Sequence, residues 1–362
     1  RLSLLRAYNI DQASNGSEAI KLCAENHYNI IFCDYNMGEG QDGQQVLEEL
    51  HERSLIRRGT LFLMVTAETS TAQVMGAIEY RPDSYLTKPF TGEQLGQRLN
   101  RLIMKNTDLN SIYSALNDGQ LQKALKLCDD VMAVAPKVRL SCMRIKSEIF
   151  EQQKNFSEAK SLYENVIKEQ PLLWALLGMG KLYFNQGDVA RAQEIFLEMR
   201  QSFPQQVSIL DWLAKCKSAL GETEKAENIL LEAIKLSPKS VRRQATLGAL
   251  AASLDHHEIA HKAYARTINE GGYSCLLQPQ HFQGFYDNTR EAIKLLDGRE
   301  KNRMMLETEG VVKKMEHKYQ YDPSAMALNL SSVARLYADN GQPDKASGML
   351  SKLTKALDHP EC

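Results

Sequence analysis

Hydrophobic residues in the first part of the chain alternate between short continuous runs and helical spacings. Two runs, over residues 30–33 and 60–65, are almost entirely apolar and predict strands buried on both faces. A shorter run, over residues 83–87, predicts a third strand. Helical spacing precedes or follows each of them, over about 1–9, 17–23, 46–50, 71–80 and 92–105. Alternating strands and helices predict an α/β fold with a doubly wound parallel sheet.

The pattern changes beyond residue 106 and repeats about every 34 residues. Small residues recur at this period, and most are followed 12 residues later by a proline; they are Ala124, Ala159, Ala192, Ala226 and Ala260. Gly119, Gly187 and Gly221 lie five residues before three of these alanines. A small residue lets two helices approach closely, glycine makes the turn between them, and proline ends the second helix. The period therefore predicts an all-α superhelix of stacked helix–turn–helix units.

The repeat is lost after Gly271 and Gly272, which divides the helical part in two. Residues 273–322 predict helices at about 281–296 and 300–319 without the repeated signature, and residues 324–358 resemble a last unit. We therefore predict three regions: an α/β domain over 1–106, repeats over 107–272, and irregular helices with a final repeat over 273–362.

Three polar residues follow the three predicted strands: Asp34, Thr66 and Lys88. The carboxyl ends of parallel strands lie at one edge of a sheet, so these side chains are expected to converge. A carboxylate there can accept a phosphoryl group, while a hydroxyl and an ammonium hold the transferred oxygens. A divalent cation would offset the charge of two approaching anions. Asp34 alone could equally be a helix cap.

Residues 1–106 resemble the receiver domain of bacterial two-component response regulators. The resemblance lies in the spacing of the three strand-end residues and in the sequences around them: Asp34-Tyr-Asn-Met37, Gly43, Thr66-Ala67, Tyr85 and Lys88-Pro89-Phe90. It implies that Asp34 is the phosphoacceptor, that Thr66 and Lys88 bind the phosphoryl group, and that Tyr85 is the switch aromatic residue. It further implies that Asn36 and Glu68 tune dephosphorylation. Mg²⁺ is expected on Asp34, the main-chain carbonyl of Asn36 and an acidic pair.

Two features depart from that family's pattern. Gly38 stands where the family has proline, and the loop to Gly43 is longer by one residue. The acidic pair follows the family's first strand, which we expect upstream of Arg1 because the chain begins within a helical pattern. Asp11 follows a helix rather than that strand and does not replace the pair.

The repeats resemble the tetratricopeptide repeat (TPR), whose aromatic positions are matched here by Phe150, Tyr163, Tyr183, Phe196 and Tyr264. This resemblance implies a surface that binds a protein or peptide. One other motif, His257-Glu-Ile-Ala-His261, matches the zinc pattern H-E-x-x-H. Ala260 is the small residue of the fifth repeat, however, so we interpret the motif as a repeat helix rather than the centre of a zinc hydrolase.

Composition limits the remaining functions. The formal net charge is −1, and neither a basic stripe nor a DNA-reading helix pair is evident, so nucleic acid is not an expected partner. No apolar run is long enough to span a membrane. The seven cysteines are scattered, which favours a reducing cytoplasm over a disulfide framework.

The leading hypothesis is a cytoplasmic, non-enzymatic response regulator. A histidine kinase or phosphotransfer protein would phosphorylate Asp34, and the TPR array would bind an unidentified protein or peptide. The alternative is a TPR scaffold whose receiver is degenerate and is not phosphorylated.

Overall fold

The computed structural model describes residues 9–67 and 82–357. Most of the helix predicted over 1–9, the whole helix over 71–80, and Glu68 lie outside these ranges. The chain divides into two compact units, Arg1–Cys216 and Lys217–Cys362. This division falls within a repeat helix, so the boundaries expected after residues 106 and 272 stay predictions.

Three parallel strands form the sheet of the first unit: β1 (Ile30–Asp34), β2 (Leu61–Thr66) and β3 (Ser84–Thr87). Their order is β1-β2-β3, with Asp34 opposite Val65 and Thr66 opposite Thr87. The sheet confirms the parallel α/β fold.

The two apolar strands differ in burial. Every residue of β2 is buried, as predicted, because β2 pairs with a strand on each side. β1 is less buried than predicted: of its five residues, only Cys33 is fully buried. Among the described residues β1 pairs with β2 alone.

Helices cover both faces of the sheet. On one face, α1 (Gly16–Glu25) and α2 (Gly43–Glu52) pack their apolar residues against Cys33, Phe62 and Met64. The N-cap of α1 is Asn15, whose side chain accepts from the amide of Glu18. On the other face, Leu95 and Leu99 of the next helix pack against alternate residues of β2.

This next helix, α3 (Gly92–Asn117), is continuous over 26 residues. It extends about 39 Å along its axis. The sequence predicted one helix to Lys105 and a second from about 107. The structure joins them, because no glycine or proline interrupts residues 97–117 and apolar positions continue through Leu109 and Ile112. One helix thus belongs to both the sheet and the first repeat.

The remaining helices of the first unit pair as predicted. They are α4 (Leu121–Val134), α5 (Arg139–Gln152), α6 (Phe156–Glu169), α7 (Leu173–Asn185), α8 (Val189–Ser202) and α9 (Val207–Ala219), which crosses into the second unit. A short 3₁₀ turn, Pro136–Val138, precedes α5. The repeated alanines Ala124, Ala159 and Ala192 are fully buried, which confirms their role in close packing. Gly180 is needed for the same reason, since a Cβ there would lie 2.5 Å from the Phe196 ring.

The turns within the repeats share a left-handed backbone. The residue five positions before each repeated alanine has a positive φ, as at Gly119, Gly187 and Gly221. Lys154 and Asp255 occupy the equivalent turns with φ of 56° and 57°, although they are not glycines. The turn geometry therefore extends to repeats that lack the glycine signal.

The second unit contains α10 (Thr223–Leu236), which completes the repeat begun by α9, the repeat pair α11 (Val241–Ser253) and α12 (His257–Glu270), and then α13 (Pro279–Ala292). The other helices are α14 (Gly298–Lys318), α15 (Pro323–Asp339) and α16 (Pro343–Leu357). One core, including Phe282, Phe285 and Tyr286, joins α12 to α16. The irregular helices expected over 273–322 are thus integrated with the last pair.

Candidate functional site

The carboxyl ends of the three strands carry the predicted site. Asp34 is the last residue of β1, Thr66 is the last residue of β2, and Lys88 directly follows β3. The backbone amide of Lys88 donates to the Thr66 carbonyl at 2.7 Å, and the amide of Tyr35 donates to the Val65 carbonyl at 2.7 Å. These bonds fix the three positions side by side. We call this end of the sheet the site edge.

Lys88 and Asp34 are in direct contact at the site edge. The Lys88 Nζ donates to the Asp34 Oδ2 in an ion pair. Both side chains are partly open to solvent, with exposed fractions of 46% for Lys88 and 38% for Asp34. Thr66 is buried beside them. The carboxylate is therefore accessible to a donor molecule and already lies against the ammonium that could bind an incoming anion.

The loop after Asp34 is held by backbone contacts. The amide of Asn36 donates to the Asp34 Oδ1 at 3.3 Å, and the amide of Gly43 donates to the Tyr35 carbonyl at 2.9 Å. A Cβ on Gly43 would lie 2.4 Å from the Asp34 carbonyl oxygen, so only glycine fits there. Gly38 and Gly40 have positive φ and open space around them.

Tyr85 of β3 is half-buried and packs on the face of the sheet that α1 and α2 cover. Its backbone carbonyl accepts from the Arg98 guanidinium, which also donates to the Ser84 Oγ at 3.1 Å. Arg98 belongs to α3, so the strand before Lys88 is attached to the helix that enters the repeats. The sequence analysis missed Arg98, because a single arginine on an exposed helix face carries no recognisable signal.

The other end of the sheet, which we call the junction edge, is joined to the repeats. Ahead of β2, the Arg58 amide donates to the Asn117 Oδ1 at 2.9 Å, and the Asn117 Nδ2 donates to the Arg58 carbonyl at 3.1 Å. The Asn106 Nδ2 donates to the Gly59 carbonyl at 2.6 Å. The Arg58 guanidinium pairs with Glu148 of α5 at 2.7 Å. The receiver and the first repeats are thus connected by more than the continuous helix.

Oxygen ligands suited to Mg²⁺ are present at the site edge. The Asp34 carboxylate and the Asn36 main-chain carbonyl have the right chemistry, but within residues 9–67 and 82–357 no three His, Cys, Asp or Glu side chains lie close enough together to hold a metal. Asp11, the first acidic residue of the sequence, accepts from the Tyr28 hydroxyl at 2.7 Å.

The zinc motif in α12 has other contacts. The His257 Nδ1 lies 2.9 Å from the Asn288 Oδ1, and the His261 Nδ1 lies 2.7 Å from the Thr289 Oγ1. His261 is 3% exposed, and its Nε2 lies 3.4 Å from Glu307. These histidines join α12 to its neighbours, as the repeat-helix interpretation requires.

Two families of known proteins match parts of this chain. The family described as "Response regulator receiver domain" matches residues 2–100. The family described as "Tetratricopeptide repeat" matches residues 174–205 and 207–240. The chain therefore contains a response-regulator receiver domain followed by tetratricopeptide repeats.

Two relatives match the receiver. The transcriptional regulatory protein ResD of Bacillus subtilis is 33% identical over 98 residues, which are 27% of this chain and 39% of ResD. The transcriptional regulatory protein SrrA of Staphylococcus aureus is 32% identical over 99 residues, also 27% of this chain and 39% of SrrA. The chain thus spans about two fifths of the length of these curated relatives.

A solved tetratricopeptide repeat protein from Parabacteroides merdae is 15% identical, with a TM-score of 0.43 over 71% of this chain and 94% of that protein. In the part of the chain that the structure describes, no helix has the length and apolarity to cross a membrane.

Proposed function

We propose that this chain is a cytoplasmic, non-enzymatic response regulator whose receiver controls protein binding by the TPR array. A histidine kinase or phosphotransfer protein supplies the phosphoryl group. The observation that carries the proposal is the contact between Lys88 and Asp34 beside Thr66, at the site edge. The three groups match the nucleophile, cation and hydroxyl that phosphoryl transfer to a carboxylate requires.

In the proposed reaction, an Asp34 carboxylate oxygen attacks the phosphorus of a phosphohistidine. The phosphorus–nitrogen bond breaks, and the electron pair goes to the histidine nitrogen, which takes up a proton. Asp34 then carries an acyl phosphate. Lys88 moves its ion pair from the Asp34 oxygen to a phosphoryl oxygen, and the Thr66 hydroxyl donates to another. Mg²⁺ held by Asp34, the Asn36 carbonyl and further acidic ligands would offset the charge of the two anions.

The response would travel along β3 into α3. Lys88 follows β3 directly, so a shift of its ammonium pulls on the strand that contains Tyr85. Arg98 holds the Tyr85 carbonyl from α3, and α3 continues into the first repeat. We propose that Tyr85 exchanges between two positions as this strand adjusts. Asn36 and Glu68 are proposed to set the lifetime of the phosphorylated form.

The test is phosphorylation of the full-length protein by acetyl phosphate with Mg²⁺, measured by intact mass. We expect one phosphoryl group per chain, lost in Asp34→Asn and retained in the control Asp130→Asn, an exposed carboxylate of α4. Addition of a phosphoryl group to Asp34→Asn at the wild-type level would contradict the assignment.

The loop after Asp34 favours a second candidate, a TPR scaffold with an unphosphorylated receiver, because Gly38 stands in place of proline and Gly38 and Gly40 both have positive φ. This candidate predicts that neither acetyl phosphate nor a phosphorylated histidine kinase modifies the full-length protein. Partner binding would then be the same for wild type and Asp34→Asn.

A further inference from the structure

The first helices of two neighbouring repeats form a cationic aromatic cluster in the first unit. Trp212 of α9 is half-buried, and the Lys215 Nζ lies 4.3 Å from its ring centroid. The Nζ of Lys181, from α7, lies 5.4 Å from the same centroid. Lys181 and Lys215 are one repeat period apart and hold equivalent places on successive helices. Two ammonium groups thus converge on one indole ring.

Neither ammonium contacts a carboxylate among the described residues. The equivalent position of the preceding repeat is Glu148, but its carboxylate pairs with Arg58 at 2.7 Å and with Arg144 at 3.3 Å. The nearby Glu151 accepts from the Tyr163 hydroxyl at 2.5 Å. Glu148 and Glu151 thus have other hydrogen-bonding partners, whereas the ammonium groups of Lys181 and Lys215 lie over the indole ring.

The charges in this cluster also act on one another. Burial is the main cause that lowers the pKa of the Lys181 ammonium; Glu151 opposes the shift, and the positive charges of Lys215 and Arg144 add to it. An ammonium in this state gains more from a bound anion than a fully hydrated lysine does.

The ring environment selects the kind of anion. Phe196 stacks on Trp212 with a centroid distance of 5.8 Å, and Phe184 meets its edge at 5.6 Å. Because Phe196 stacks on the indole and two ammonium groups lie over the same ring, a nucleobase stacking there would compete with them. A carboxylate needs only the two ammonium groups, and the partly exposed Phe184 ring can contact the apolar part of a peptide.

We propose that the surface formed by Lys181, Trp212 and Lys215 binds an acidic peptide segment of a partner protein, with a peptide carboxylate between the two ammonium groups. The proposal rests on the protein-binding role proposed for the repeats but does not require phosphorylation of Asp34. A failure of the phosphorylation assay would therefore leave it intact, and the two can fail separately.

The test uses a fluorescein-labelled peptide of alternating Glu and Ala, and the same peptide with Gln in place of Glu. Binding to the full chain is followed by fluorescence anisotropy at low salt. We expect the Glu peptide to bind about tenfold more tightly than the Gln peptide. The double variant Lys181→Gln/Lys215→Gln should lose that preference, whereas Lys181→Arg/Lys215→Arg should retain it.

The matched control is Lys168→Gln, an exposed lysine on the second helix of a repeat, which should change the affinity less than about twofold. Circular dichroism checks that each variant folds. In the Trp174→Phe background, Trp212 is the remaining tryptophan, and its emission should change when the Glu peptide binds. The proposal is overturned if the double variant binds the Glu peptide like wild type, if neither peptide binds at about 1 mM, or if a labelled oligothymidylate binds more tightly than the Glu peptide.

Discussion

The site edge and the junction edge of the receiver sheet are held in different ways. At the site edge, a single ion pair joins two partly exposed side chains, Lys88 and Asp34. At the junction edge, Asn117 and Asn106 bind main-chain groups of Arg58 and Gly59 through three hydrogen bonds. Ion pairs in water contribute at most about 1 kcal/mol, so the first arrangement exchanges easily with another. The difference indicates one edge that can rearrange and one that fixes the receiver to the repeats.

The largest predicted effect concerns the backbone at the site edge. We expect this backbone to be closely packed, in contrast to the partly exposed side chains of Lys88 and Asp34. Gly43→Ala should destabilise the receiver by about 2–3 kcal/mol, because the new Cβ would overlap the Asp34 carbonyl. Urea denaturation measures the loss. The control is Gly348→Ala in α16, where a Cβ meets nothing within 4 Å. This change should stabilise the chain by about 0.5–1 kcal/mol. Equal effects at both glycines would contradict the prediction.

The next prediction tests the junction edge. Asn117→Ala removes two hydrogen bonds to the backbone of Arg58 and should cost about 1–2 kcal/mol of unfolding free energy. Amide hydrogen exchange should also quicken at residues 58–60. The control, Asn110→Ala, changes an exposed residue of the same helix and should be neutral or slightly stabilising. An Asn117→Ala protein as stable as the control would mean that the continuous helix alone fixes the junction.

The positions of the site-edge residues and of the buried repeat alanines could be predicted from the sequence. Parallel strands place their carboxyl ends together, so Asp34, Thr66 and Lys88 could be assigned to one edge from their positions after apolar runs. The repeat period likewise predicted the buried alanines, because each repeat packs against its neighbours. The assignment of roles to Asp34, Thr66, Lys88, Tyr85, Asn36 and Glu68 stays a prediction.

The junction edge could not be predicted in the same way. Asn106, Asn117 and Arg58 are polar residues without a motif, and their partners are 47 to 90 residues away in sequence. The partial burial of β1 was also missed. An apolar run such as Ile30–Cys33 predicts a strand, but whether it has one neighbour or two depends on the rest of the sheet.

Arg98 connects α3 to β3, and its substitution tests whether a shift of β3 is transmitted to α3. Arg98→Met should cost about 1 kcal/mol, because the carbonyl of Tyr85 loses a charged donor while the aliphatic packing is kept. Arg101→Met, also exposed on α3, is the control and should be neutral. If phosphorylation is transmitted through α3, Arg98→Met should also weaken the effect of acetyl phosphate on hydrogen exchange in residues 107–117. An unchanged effect would exclude Arg98 from that route.

The smallest predicted effect on stability belongs to Lys88, although its effect on the response should be large. Lys88→Met should change the free energy of unfolding by less than about 0.5 kcal/mol, because both members of its ion pair are partly hydrated. Urea denaturation measures this, with Lys105→Met, an exposed lysine of α3, as the control. The same variant should accept a phosphoryl group on Asp34, but more slowly than wild type. Phosphorylation should then leave hydrogen exchange along α3 unchanged, because the variant has no ammonium to bind the phosphoryl group. A stability loss above about 1 kcal/mol would mean that the site edge is held as firmly as the junction edge, and the contrast between them would fail.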